Sequence, residues 1–321
     1  MSGPILQITN VTKTYGNFRA VNDLNLSLPE GSIYGFLGPN GAGKTTTLRM
    51  VLDIIKPTKG TINILSHNSA YDVRNRIGYL PEEKGLYKKM KAVDVITYFA
   101  MLKGISMKDA KKKAIELLSK YGLEEFVKSK IEELSKGMSQ KVQVLSSVAH
   151  DPDLVILDEP FSGLDPINQK VLEQLILDIA ARGKTILFST HVMQHAERIC
   201  DHILLMAKGS KIFDGTIPEA KNQLPKRLYI TVKGDIDTVK DISGVVSMTE
   251  IKKDPDKTLK DSDTNAKSYQ IDFDESADPN VILQYCFEKK IPLLHFDQQE
   301  PTLHDVFVEL VEKQNRGENL S

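Results

Sequence analysis

The chain has 321 residues, 40% hydrophobic and 26% charged, the balance of a globular protein with room for one large domain and a smaller one. Its 42 basic and 43 acidic residues leave a net charge of −1, which gives no reason to expect a nucleic-acid partner. No apolar run approaches the ~18 residues that span a bilayer, and the Met-Ser-Gly-Pro start lacks the charged and apolar regions of a signal peptide.

Residues 5–9 and 24–28 alternate as half-buried strands do. Residues 33–37, Ile-Tyr-Gly-Phe-Leu, form an apolar strand that runs into a glycine-rich turn. Leu48, Val51, Leu52 and Ile55 then recur at helical spacing, with Pro57 as the stop. Residues 92–150 read mainly as helix, and Lys111-Lys112-Lys113 there reads as a solvated helix face. Strand 154–158, helix 167–182, strand 185–189, helix 192–199 and strand 202–207 follow, and Lys211–Gly215 closes a hairpin. This alternation predicts an α/β fold with a mostly parallel sheet. Cys200 and Cys286 stand far apart and read as buried thiols of a reducing compartment.

The pattern changes near residue 222. Strands at 228–233 and 268–273 flank a charged, proline-containing stretch, 252–267, expected to be a mobile loop. A helix at 280–290, a strand at 291–296 and a helix at 302–312 complete a small α+β domain over 223–314. Residues 315–321 are expected to be a disordered tail.

Gly38-Pro39-Asn40-Gly41-Ala42-Gly43-Lys44-Thr45 matches the phosphate-loop pattern GxxxxGK[ST] in full, between a strand and a helix. Its glycines let backbone N–H groups face an anion, and the helix N-terminus adds positive potential. Lys44 is expected on the β- and γ-phosphates, Thr45 on Mg²⁺ and Thr46 on the α-phosphate. Asp158 ends an apolar strand, placed to hold Mg²⁺ directly or through water, and Glu159 beside it is the candidate general base. His191 ends another strand at the edge where α/β ligands bind, placed to bond the γ-phosphate or hold the attacking water.

Leu134-Ser135-Lys136-Gly137-Met138 is a short Ser/Gly turn that opens a helix about twenty residues before that acidic strand. The pairing suggests a phosphate-binding turn that serves a site other than its own, and so a dimer with shared sites.

With these motifs in order, residues 4–220 closely resemble the nucleotide-binding ATPase subunit of ABC transporters. The resemblance implies a P-loop NTPase core over 1–222 with a helical subdomain near 88–150. Residues 38–45 match the Walker A motif, 154–159 Walker B, 162–165 the D-loop, 134–138 the signature motif and His191 the switch histidine. Tyr15 matches the aromatic residue that stacks on adenine. Glu82 stands where the family usually has the glutamine of its Q-loop, and the adjacent Glu83 leaves that register open by one. Residues 78–87 and 302–309 look like the ABC-2 exporter branch, whose members often carry a C-terminal accessory domain.

The resemblance implies that two subunits, a homodimer rather than a heterodimer, sandwich two ATP with Mg²⁺. Ser135 and Gly137 would act on the nucleotide of the opposite subunit. A separately encoded membrane permease would be the partner, touched near Leu86, Tyr87 and Met90 from the cytoplasmic face. The competing reading is a soluble ATPase of the same family acting on ribosomes or DNA, and a weaker one is an inactive regulatory ATPase. Two departures from the family stand out: Lys136 for the first glycine of the signature with Met138 for its glutamine, and Glu82 for the Q-loop glutamine.

Overall fold

The computed structural model describes residues 3–83, 85–251, 266–274 and 277–317, and divides the chain into two compact units. The first comprises Met1–Ile217 with Leu310–Ser321, the second Pro218–Glu309.

The first unit opens with β1 (Leu6–Tyr15) and β2 (Phe18–Leu28), then β3 (Ile33–Leu37), α1 (Lys44–Val51), β4 (Lys59–Ile64) and β5 (Ile77–Leu80). The helices α2 (Ala92–Leu102), α3 (Met107–Lys120) and α4 (Lys136–Val148) follow. Then come β6 (Leu154–Asp158), α5 (Pro166–Ala180), β7 (Thr185–Thr190), α6 (Met193–Ile199), β8 (His202–Ala207), β9 (Ser210–Thr216) and α7 (Ile217–Lys221), which crosses into the second unit.

β2-β1-β4 form an antiparallel sheet. The larger sheet runs β5-β6-β7-β3-β8-β9, parallel throughout except that β9 pairs antiparallel with β8. Its central strands are buried along their whole length, which is why Ile33–Leu37, Leu154–Asp158 and Thr185–Thr190 read as runs rather than alternations. Because β3, β6 and β7 are parallel, their C-terminal ends share one edge, where Leu37 pairs with Thr190 and Asp158 with Ser189. The loop to α1, the acidic pair and His191 all leave from that edge.

Helix α1 differs from the expected stretch. It begins at Lys44 and ends at Val51, well before Pro57, because Asp53 takes a left-handed conformation (φ 61°) that the helix cannot continue through. In the helical region, Ser106 caps α3 by accepting from the Asp109 amide. α3 is tied to α5 by Lys120 and Asp178, 2.7 Å apart.

The second unit holds β10 (Lys226–Lys233), β11 (Val245–Ile251), β12 (Ala266–Phe273), α8 (Val281–Glu288), β13 (Leu293–Gln299) and the first half of α9 (Leu303–Arg316). Its antiparallel sheet runs β11-β12-β10-β13. Alternation puts Leu228, Ile230, Val232, Tyr269, Ile271 and Phe273 into one core with Ile282 and Cys286 of α8. β11 was not among the expected strands. Of the expected mobile loop, residues 252–265 lie outside the described residues and 266–267 belong to β12. The expected tail shortens at its start: α9 continues to Arg316, and 318–321 lie outside the described residues. Among the described residues no helix is long and apolar enough to cross a membrane.

Candidate active site

The loop between β3 and α1 is shaped by backbone that side chains would not permit. Gly43 has φ 103° as the N-cap of α1, and a Cβ there would lie 2.6 Å from the Ala20 carbonyl oxygen. The loop bends back over Lys44, whose buried ammonium donates to the carbonyls of Gly38 at 2.7 Å and Pro39 at 3.2 Å. Burial pushes that ammonium below the ordinary lysine value, while Glu159, Asp158 and Glu82 pull it back up.

Those carboxylates arrive from other elements. Asp158 at the end of β6 is 1% exposed. Its Oδ1 accepts from the Ser189 hydroxyl and from Thr45 Oγ1 at 3.4 Å. Its Oδ2 is buried and accepts no hydrogen bond among the described residues. A buried, ionisable oxygen with no donor is costly, so the position fits a cation better than an empty core. Thr45 and Asp158 supply hard oxygen atoms of the kind Mg²⁺ prefers. Among the described residues no three His, Cys, Asp or Glu side chains are arranged to hold a metal ion by themselves, so such an ion would complete its shell with phosphate oxygens and water.

Glu159 sits in a left-handed conformation (φ 49°), rare for a side-chain-bearing residue and common where function over-determines the backbone. Its amide is held by Ser189, through the carbonyl at 3.2 Å and the hydroxyl at 3.1 Å. Its carboxylate is bracketed: Oε1 lies 3.6 Å from the Lys44 ammonium and Oε2 lies 3.0 Å from His191 Nδ1. His191 itself is half exposed, so one side of this group faces solvent.

A cavity of about 280 Å³ opens beside Lys44 and Glu159, lined by Asn40 through Thr46, by Phe18 and Ala20 of β2, and by Glu82 and Glu159; Asp158 and His191 do not line it. Of the adjacent acids, Glu82 faces this cavity; Glu83 instead offers its backbone carbonyl to Gln143 at 3.5 Å. Tyr15 and Phe18 are register partners at the end of the β1–β2 hairpin, yet only Phe18 lines the cavity. Tyr15 is half exposed, with the Lys13 ammonium 5.1 Å from its ring centroid. Sequence reading missed Phe18; an apolar residue directly across the hairpin from an expected stacking tyrosine was the available signal.

Ser135 and Gly137 do not line this cavity. Ser135 caps α4, its hydroxyl accepting from the Met138 amide at 3.2 Å, and Gly137 is buried against Asn168 of α5. Near Glu82 a second cavity of about 430 Å³ is lined by Leu86, Phe99, Leu102 and His150, among others. Tyr87 is half exposed and meets Tyr98 edge-on at 5.7 Å, and Met90 is partly buried.

Residues 21–162 match the ABC transporter family, and residues 215–311 match the C-terminal domain of DrrA1-3-like ATP-binding proteins. The uncharacterized ABC transporter ATP-binding protein YhaQ of Bacillus subtilis is 37% identical over 309 residues, 96% of this chain and 98% of that one. The Nod factor export ATP-binding protein I of Burkholderia orbicola is 38% identical over 218 residues, 67% of this chain and 72% of that one. Among solved structures, the ATP-binding cassette MJ0796 in its dimeric post-hydrolysis state with ADP and Pi superposes with a TM-score of 0.61 at 27% identity, covering 66% of this chain and 98% of that one. The similarity to YhaQ spans nearly the whole of both chains, and the phosphate loop, acidic strand and histidine meet at one sheet edge; the protein belongs to the family of ABC transporter ATP-binding proteins.

Proposed function

We propose that this ATPase works as a homodimer around two ATP with Mg²⁺ and drives export through a separately encoded membrane permease, from the cytoplasmic face. The observation that carries it is the convergence of Lys44, Thr45, Asp158, Glu159 and His191 at the shared edge of β3, β6 and β7.

Lys44 leaves its carbonyl partners for the β- and γ-phosphates, trading neutral acceptors for charged ones. Backbone N–H groups of residues 40–45 receive the phosphate oxygens at the head of α1, Thr46 takes the α-phosphate, and Phe18 or Tyr15 covers the base. Thr45, Asp158 and Glu82 would hold Mg²⁺, which when bound neutralises charge on the β- and γ-phosphates. Glu159 accepts the proton of the attacking water, and His191 steadies the carboxylate and the γ-phosphate side.

Ser135 and Gly137 lie outside the cavity of their own chain, which supports their acting on the nucleotide of a second copy. Such a face is self-complementary, as a two-fold pair requires. Residues 1–222 make the hydrolysing domain and 223–314 an accessory domain. The groove around Leu86, with the exposed Tyr87 and the partly buried Met90, is the surface offered to the permease. The export direction is supported by the Nod factor export relative.

Glu159→Gln with ATP and Mg²⁺ tests this reading. The variant is expected to sediment as a stable dimer with turnover lowered by ~10²–10⁴. Unchanged turnover would remove Glu159 from its role.

A further inference from the structure

The signature turn carries lysine where the family usually has its first glycine, and the structure shows where that side chain goes. Lys136 is the first residue of α4, a poor place for a cation because the helix N-terminus is itself positive. Its side chain runs onto Gly163, in the loop between β6 and α5 that follows Glu159. A Cβ at Gly163 would lie 1.7 Å from Lys136 Nζ, 2.6 Å from Cε and 3.8 Å from Cδ. The outer end of the lysine therefore occupies the space that any side chain at 163 would need, and Gly163 leaves it free.

The neighbouring contacts run between the same two segments. A Cβ at Gly137 would lie 2.5 Å from the side-chain amide of Asn168, so α4 and α5 approach as closely as glycine permits. Gln140 Nε2 donates to the Pro160 carbonyl at 3.1 Å, one residue beyond Glu159. Asp165 holds the far end of the loop, accepting from the amides of Ile167 and Asn168 and from the Asn168 side chain. The head of α4 thus lies against residues 160–168 through Lys136, Gly137 and Gln140, and of these three Lys136 is the exposed, flexible side chain.

We propose that Lys136 is a positioning residue: seated on Gly163, it ties the signature turn to the loop that carries Glu159, so that what the turn meets is felt at its own chain's catalytic carboxylate. This rests on the reading of 134–138 as the turn that meets a second copy's nucleotide. The lysine acts through the loop, and its effect belongs in the turnover step rather than in ATP affinity.

The test is a double-mutant cycle on the full-length chain with ATP and Mg²⁺. Lys136→Ala is expected to lower kcat about fivefold while KM stays within about twofold. Gly163→Ala evicts the lysine, since the nearest atoms to the new methyl all belong to Lys136, and is expected to do the same. The double variant should be no slower than the slower single one, because both remove one contact. Lys136→Met, which keeps an unbranched stem of similar length, should retain most of kcat.

Effects that multiply in the double variant, a change confined to KM, or a methionine variant as slow as alanine would each overturn the proposal. The φ of 67° at Gly163 strains alanine there, so if that variant does not fold, the alanine and methionine variants of Lys136 decide the matter together. Glu159→Gln is the separate control: its outcome bears on the catalytic reading and leaves the lysine result standing.

Discussion

The loop at 38–45 and the turn at 134–138 both bear glycine and both open a helix, but their surroundings differ. Around the first, side chains from β6 and β7 close in, Lys44 is buried, and a carboxylate oxygen of Asp158 has no donor among the described residues. At the second, Ser135 is exposed and spends its hydroxyl on capping its own helix. A helix N-terminus supplies positive potential in both places. Among the described residues, only the first is joined within its own chain by acids and a cation that can complete a phosphate site. A glycine-bearing turn at a helix head thus gains the groups of the proposed catalytic site only through what the tertiary fold brings to it, here at a parallel sheet edge.

Substitutions can break this contrast, and the largest effect belongs to the first turn. Lys44→Ala is expected to weaken ATP binding by the single chain about 100-fold, the equivalent of a lost charge-assisted contact of roughly 3 kcal/mol. Isothermal titration with ATP checks it, and full retained affinity would end the equation of this loop with the phosphate cradle. Ser135→Ala should leave that affinity unchanged, lower turnover about tenfold, and cost about 1 kcal/mol of stability through the lost cap. Loss of monomer affinity in this variant would mean that the two turns serve one site.

Glu82→Gln is expected to keep part of its ATPase activity, since an amide oxygen remains a hard ligand though a weaker one than a carboxylate. Total loss with intact ATP binding would show that the charge itself is required.

The smallest effect lies away from both turns. Burial, with help from the Lys103 ammonium, holds His150 down to about 4 from 6.5. Between those values the unfolded chain binds a proton that the folded chain refuses, so stability from this group is complete above pH 6.5 and is lost as pH falls through 4. Denaturant melts of His150→Gln across that window should show a shallower loss toward acid than the parent chain. An unchanged slope would mean that His150 does not set it.

Several elements were legible because their burial is uniform. β3, β6 and β7 sit between neighbours on both sides and read as apolar runs. β4, β5 and β11 were not legible. Among the described strands β4 pairs only with β1; its first three residues, Lys59-Gly60-Thr61, are exposed and it offers little alternation. β5 has only four residues, and β11 shows partial burial with no strong period. Residues 38–45, Asp158 and Glu159 could be named in advance because motif and local backbone travel together. Phe18 was overlooked: its place across the hairpin from Tyr15 was a local signal, but that it rather than Tyr15 lines the cavity follows from how β2 passes the loop.

The donor set is written in local sequence: a lysine and threonine at the head of one helix, two acids at the end of one strand, and a serine that opens another helix. These follow from propensity and burial patterns that act over a few residues. Three features come from long-range packing instead: which oxygen of Asp158 lacks a donor among the described residues, that Glu82 rather than Glu83 faces the cavity, and that Lys136 lies on Gly163. Each depends on contact between segments far apart in the chain. Asp158 and Ser189, for example, are 31 residues apart and meet because β6 and β7 pair in one register. Short-range preferences cannot encode such a register; the packing of the parallel sheet sets it.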